Sequence, residues 1–261
     1  YKPIEGLTIT NNAGTDFYTE GRRKLYAKGT VGALNGKFQT WNLYKRIINN
    51  DLMVSYEKTF ANDYHFKAMV GHNLYQEEWK NENVQAQNLV VDGLYTYTNA
   101  KSTTPVNYYE KKRLVGLYGD ISLGYKDMLF VNVTGRNDWS STLPSETRSY
   151  FYPAVSGSII MSQLLKMPEW LNFWKLRGAW TVTKSDLGIY DTNQAYSVST
   201  NVWDGMNTAV YPEMIRSTTL EPTAARSYEI GTAFNVWDNR LRFDISYYNK
   251  LKYNLTREAT I

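Results

Sequence analysis

The chain has 261 residues, with 29 Lys and Arg against 25 Asp and Glu, and is 15% aromatic. Its mean hydropathy is −0.50, and no apolar run approaches the roughly 20 residues of a membrane helix. This excludes a helical membrane protein but not a β-barrel, whose strands mix apolar and polar residues.

There is no cysteine, hence no disulfide framework, thiolate metal site or thiol nucleophile. Lys and Arg read as scattered, so no basic stripe for nucleic acid stands out. The start, Tyr1-Lys2-Pro3-Ile4, lacks the apolar stretch of a signal peptide, as if cut from something longer.

Period-two alternation dominates the chain and predicts strands. Residues 6–20, 40–58 and 64–76 alternate weakly. Val115, Leu117, Ile121, Leu123 and Tyr125 then alternate with Tyr118, Asp120 and Ser122. Leu129, Val131 and Val133 alternate with Phe130, Asn132, Thr134 and Arg136, and 151–162 follows with a weaker pattern. Leu176, Trp180 and Val182 oppose Lys175, Arg177 and Thr181. Tyr228, Ile230, Thr232, Phe234 and Val236 oppose Glu229, Gly231, Ala233 and Asn235. Leu241, Phe243, Ile245 and Tyr247 oppose Arg242, Asp244, Ser246 and Tyr248. The reading is all-β, about nine antiparallel strands near the ~9–11 residues of a membrane strand or longer.

Short connections at 60–63, 125–128 and 236–240 alternate with long polar ones at 21–38, 80–111, 137–150 and 184–227. Residues 162–172 form an intermediate case with room for a short helix. Asn and Asp in the short ones suit left-handed hairpin turns. Outer-membrane barrels show this asymmetry, with short periplasmic turns and long extracellular loops. Phe60, Tyr64, Tyr125, Phe130, Trp170, Phe173, Trp174 and Trp237 lie beside the short turns. Such rings suit the membrane interface, although strand-end aromatics also pack ordinary cores.

A family likeness follows from ordered motifs. Leu114-Val115-Gly116-Leu117-Tyr118-Gly119-Asp120, Gly124-Tyr125-Lys126-Asp127 and Gly135-Arg136-Asn137-Asp138-Trp139-Ser140-Ser141 resemble a signature hairpin of SusC/RagA-type TonB-dependent transporters. Phe151–Ser158, Leu171–Trp180, Leu220-Glu221-Pro222-Thr223 with Ser227–Gly231, and Asn239–Leu241 with Asp244–Lys250 resemble the segments that follow. Upstream, Tyr56–Phe60 and Gly71–Glu77 resemble the preceding hairpin. The likeness covers roughly residues 50–255. Trp139 stands where the family has Gly, and Trp180–Asp186 departs from the family pattern.

The resemblance implies a ~22-stranded barrel with a plug in its lumen, placed in the cell outer membrane among its lipids. On that reading residues 1–261 are part of one barrel domain, with the plug and the remaining strands outside this chain. It also implies a SusD-like lipoprotein as an external lid, the TonB complex as energy source, and an oligosaccharide or oligopeptide as substrate.

Catalysis finds no support. His65 and His72 are seven residues apart, which puts them on opposite faces of a strand. No Gly-rich phosphate loop or Ser/His/Asp arrangement is visible, and no cofactor or metal is implied. Binding is better served, because flat rings beside amides and carboxylates suit sugars. The candidates are Asp138, Trp139, Tyr190, Tyr196, Trp203 and Tyr211, with Asp186, Asp191, Asn193, Asn201, Asp204 and Asn207 nearby. The same rings would equally pack loops together or against a lid. The expected function is import of nutrient oligomers. The alternative is a soluble or surface-displayed glycan-binding or adhesin module.

Overall fold

A computed structural model describes residues 1–212, 214–217 and 219–257, with the side chains of 200–202, and so that of Asn201, outside the description. The strands are β1 (Leu7–Tyr26), β2 (Lys37–Phe60), β3 (Tyr64–Leu89), β4 (Ala100–Tyr125), β5 (Leu129–Ser140), β6 (Ser149–Ile160), β7 (Leu171–Ser185), β8 (Ser197–Trp203), β9 (Met206–Val210), β10 (Thr223–Val236) and β11 (Leu241–Tyr253). Among the described residues the one α-helix is short, α1 (Met161–Leu164), and overlaps the start of the intermediate connection where the sequence left room for one. Nine strands form one sheet in the order β1-β2-β3-β4-β5-β6-β7-β10-β11, and β8 and β9 form a separate hairpin.

The short turns come out as expected. Ala61 and Asn62 both have positive φ, as do Lys126 and Asp127, and the i to i+3 bonds Asp63 N to Phe60 O (3.1 Å) and Met128 N to Tyr125 O (3.0 Å) close them. This is the twist-matched turn that two-residue hairpins favour. Trp237, Asp238 and Asn239 continue the pattern with three successive positive φ values.

The chain divides into two compact units. The first is Tyr1–Asn12, Asp51–Leu74 and Leu114–Ile261; the second is Ala13–Asn50 and Tyr75–Arg113. In the first, the registers Leu123↔Val131 and Ile121↔Val133, Leu129↔Ile159, Ile159↔Leu176, Leu176↔Thr232 and Thr232↔Ile245 put the apolar partners on one face. Ser122↔Asn132, Asn132↔Ser156, Ser158↔Arg177 and Ala233↔Asp244 lie on the other. Leu123, Leu129, Val133, Phe243 and Ile245 are exposed despite being apolar. Phe130 and Phe173 share parity with Asn132 and Arg177, so these two rings leave the expected aromatic belt and join the polar face.

The second unit corrects the sequence reading of 21–38 and 80–111. Strand β1 continues to Tyr26, β3 to Leu89, and β4 starts at Ala100, leaving 90–99 as the connection, with a 3-10 turn at Tyr97–Asn99. No apolar periodicity marks these lengths because polar residues occupy both faces. Cross-strand pairs hold them instead. Lys45 Nζ meets Glu77 at 2.6 Å and Arg46 Nη2 meets Glu78 at 2.7 Å, while the Gln39 amide donates to Gln85 at 2.7 Å. A small core of Phe38, Ala86 and Leu89, flanked by Tyr95 and Ala100, completes the unit. In the long 184–227 segment, β8 and β9 add a hairpin and β10 already begins at Thr223.

Candidate functional site

On the polar face of the first unit, short side chains make room for long ones. A β-carbon built on Gly231 would sit 2.6 Å from Arg177 Nε. With no side chain there, the guanidinium of β7 reaches across β10 to β11. It grips Asp244 with both nitrogens, at 3.1 and 2.6 Å, and donates to Ser246. Glu229 lies 3.7 Å from Arg177 Nε. In the same way the Tyr118 ring lies over Gly71, where a β-carbon would meet it at 2.7 Å. Asn132 donates to Asp120 (2.6 Å) and Ser122 (2.8 Å). A hollow of about 490 Å³ opens here, lined by Asn132, Ser156, Ser158, Lys175, Arg177 and Glu229 among others. A hollow on the apolar face is lined by Tyr56, Phe60, Tyr64, Leu123 and Leu129 among others.

Further along this face lies a second network. Asp138 is 4% exposed. Its Oδ1 accepts from Arg136 Nε at 2.8 Å and its Oδ2 from Tyr152 Oη at 2.6 Å. A buried carboxylate needs partners for its lone pairs, and these two supply them. The Arg136 guanidinium lies 5.5 Å from the Tyr118 ring centroid. Ser140, also buried, donates to Asp186 at 2.6 Å and so accepts from the Thr142 hydroxyl at 3.0 Å. Thr147 donates to the Leu220 carbonyl at 2.8 Å. These bonds tie the β5–β6 connection to the end of β7 and the approach to β10.

The candidate residues separate into two groups. Asp138 and Trp139 are neighbours on β5 and so point to opposite faces. Asp138 is committed internally, and Trp139 is 38% exposed on the apolar side. Tyr190 sits in a turn with φ +64°. Tyr196 and Tyr211 meet edge-to-face at 5.7 Å between centroids. Trp203, 75% exposed, ends β8 beside the Asp204-Gly205 turn. Arg216 braces this region through Asp191 at 3.1 Å. The structure thus gathers Tyr196, Trp203 and Tyr211 on the β8–β9 hairpin and its approaches, apart from Asp138 and Trp139.

His65 shares the polar face, with its Nδ1 3.1 Å from Thr59 Oγ1 and its Nε2 3.2 Å from Asp127. Among the described residues no group of His, Cys, Asp and Glu could hold a metal ion.

Outside any span of bilayer length, Glu77 lies 14 positions into β3. Its carboxyl is held below the usual glutamate range, chiefly by the Lys45 hydrogen bond, against the opposing effect of burial and with help from Tyr75. The Lys45 ammonium is raised in return, first through that same bond.

Solved structures with this architecture decide the fold. The RagAB peptide importer in its 'closed-closed' state superposes with a TM-score of 0.86 at 17% identity, covering 96% of this chain and 28% of that one. The chain has the fold of part of the RagAB importer. The 'open-open' state of RagAB gives a TM-score of 0.83 at 18% identity, over 95% of this chain and 28% of that one. The more distant FpvA of P. aeruginosa gives 0.52 at 14%, over 97% and 31%. A curated TonB-dependent receptor of Formosa agariphila is 18% identical over 273 residues, which is all of this chain and 28% of that receptor. No family model matches. RagAB is a peptide importer and the Formosa protein a TonB-dependent receptor, and this chain spans little more than a quarter of the length of each.

Proposed function

We propose that this chain is part of the wall of an outer-membrane transporter that imports nutrient oligomers, glycans or oligopeptides, with energy from the TonB complex. Residues 1–261 then belong to one barrel domain whose plug and further strands are supplied by the rest of the protein. A SusD-like lipoprotein covers the outer mouth. The observation that carries this reading is the two-faced sheet. Leu129, Val133, Phe243 and Ile245 are exposed on one face. Arg177, Glu229 and Asp244 pair on the other. A lipid-facing outside and a polar lumen need that division, and a soluble binding module has no use for an exposed apolar belt of this kind. The likeness to RagAB, a peptide importer, supports the oligomer class.

The β8–β9 hairpin is the part of this reading that meets cargo or lid. Trp203 and Tyr211 are exposed there, and loops on a rigid scaffold are where recognition collects. Trp203→Ala and Tyr211→Ala in the whole transporter are expected to weaken lid association, uptake or both. One anchoring ring is worth about 2 kcal/mol, roughly thirtyfold in affinity. The two activities should be measured separately, with and without a functional TonB. Uptake indifferent to TonB would falsify the transport reading. Normal lid binding and uptake in both variants would remove the hairpin from the site.

A further inference from the structure

The second unit carries a charge feature that the overall balance conceals. Residues 22–37 contain five cations, Arg22, Arg23, Lys24, Lys28 and Lys37, and no acid. That segment alone is +5 where the whole chain is +4. Arg22 is taken up by Glu20 at 2.5 and 2.8 Å. Arg23 is spent on structure, donating to the Tyr95 carbonyl and lying 5.5 Å from the Phe38 ring centroid. Among the described residues no carboxylate pairs with Lys24, Lys28 or Lys37. Instead the ammonium groups of Lys24 and Lys37 each lie 4.9 Å from the centroid of the same ring, Tyr26.

The mount under these lysines is firm. Asn88 N donates to the Gly36 carbonyl at 3.1 Å and Leu89 N to Asn35 at 2.9 Å. Gly36 has φ +76° and packs against Leu89, where any β-carbon would sit 3.1 Å from Leu89 Cδ1. These bonds fix the backbone from which the lysine arms extend. Lys80 also lies near rings within the unit, 5.9 Å from the Tyr44 centroid and 5.5 Å from Tyr109, but it is paired with Glu78 at 3.3 Å.

We propose that the β1–β2 tip is a capture site for an acidic oligosaccharide, one bearing carboxylate or sulfate groups along its length. This rests on the transport reading above and narrows its cargo. The lysines hold a ring in the absence of an anion, and a cation–π contact at an exposed site is weak. A sugar carboxylate or sulfate draws the flexible ammonium arms off Tyr26, and the uncovered ring then takes the flat C–H face of the sugar. An acidic peptide supplies the charge without the flat apolar face. An anionic membrane surface is disfavoured because β2 runs 24 residues from Phe60 to Lys37, about twice what a bilayer crossing needs.

The test is titration of the whole barrel protein in detergent with four probes: oligogalacturonate, a neutral cello-oligomer of matched length, poly-glutamate of matched length, and vesicles of anionic lipid. Oligogalacturonate should bind best, and more weakly as salt rises. The Lys24→Gln/Lys37→Gln double variant should lose about tenfold in affinity, and Tyr26→Ala should weaken oligogalacturonate binding but not poly-glutamate binding. Equal binding of the neutral oligomer, or full affinity in the double variant, overturns the site. Equal binding of poly-glutamate or of vesicles overturns the saccharide assignment. Uptake is scored separately. Lysine-dependent binding without TonB-dependent uptake removes the transport reading and leaves the site. TonB-dependent uptake without lysine-dependent binding does the reverse.

Discussion

At the residue scale, Asp138 shows how chemistry and placement can part company. Its spacing beside Trp139 suggested a contact for cargo, but the carboxylate is buried and consumed by Arg136 and Tyr152. Nothing in the local sequence shows that Tyr152, on the next strand, reaches it. Asp138→Ala should leave a guanidinium and a phenol without their acceptor, costing about 1–3 kcal/mol. Thermal unfolding of the protein in detergent reads this directly, and an unchanged midpoint would mean that water replaces the carboxylate at no cost. The hairpin turns give a second case. Asn62 and Asp127 announced left-handed backbone, but Ala61, Lys126 and Trp237 adopt it too, carried there by the turn type and not by their own preference. Ala61→Gly should therefore stabilise the protein by about 1 kcal/mol. A lower midpoint for that variant would contradict the turn assignment.

At the scale of elements, alternation located all nine strands of the main sheet and missed the lengths of the first four. The missed portions, such as 77–89 of β3, have polar residues on both faces, so a pattern that counts apolar positions is blind to them. Lys45–Glu77 and Arg46–Glu78 are visible only once β2 and β3 are paired. The basic run at 22–37 was legible as composition and was hidden by averaging over the chain. Two measurements address these elements. Val131→Arg, on the apolar face, should cost ~2–4 kcal/mol, and Asn132→Arg much less. Equal losses would mean the faces are misassigned.

The Lys45–Glu77 pair also sets a pH dependence. Glu77 is depressed on folding, so its contribution is complete above the unfolded glutamate value of 4.5 and disappears as pH falls through the lower folded value. Lys45 is raised, so its share is complete below 10.5 and is lost as pH climbs past the higher folded value. Wild type should thus lose more stability than Glu77→Gln on acidification below about pH 4.5. Parallel curves would mean that the pair is not formed.

At the scale of the whole molecule, the side of the membrane on which each connection lies remains a prediction, and it follows from strand direction. The turns at 60–63, 125–128 and 236–240 share one end of an antiparallel sheet. The 90–99 connection and the β8–β9 hairpin follow the opposite strand ends. In intact cells a protease should cut near Trp203 or Val91 and spare Asp127 and Asp238. Cutting at Asp127 in intact cells would invert the topology. The exposed edge of β11 belongs to this scale as well. Its thirteen residues are all exposed, and among the described residues no strand pairs with its outer side, an arrangement that folded proteins cover or pair.

Gly231 and Arg177 have a consequence for how such a wall changes over generations. The arginine can lie across β10 only while position 231 has no side chain, and the glycine is confined only while the arginine lies there. Replacing Gly231 first meets a guanidinium 2.6 Å away, whereas shortening Arg177 first opens the space. The guanidinium is the far end of a flexible side chain and can swing aside, so what either first step gives up is the grip on Asp244. Gly116 beneath Arg136 and Gly71 beneath Tyr118 are coupled in the same way. The effect of a change at one member of each pair therefore depends on the other. Trp203, 75% exposed on the β8–β9 hairpin, stands outside these glycine-paired positions.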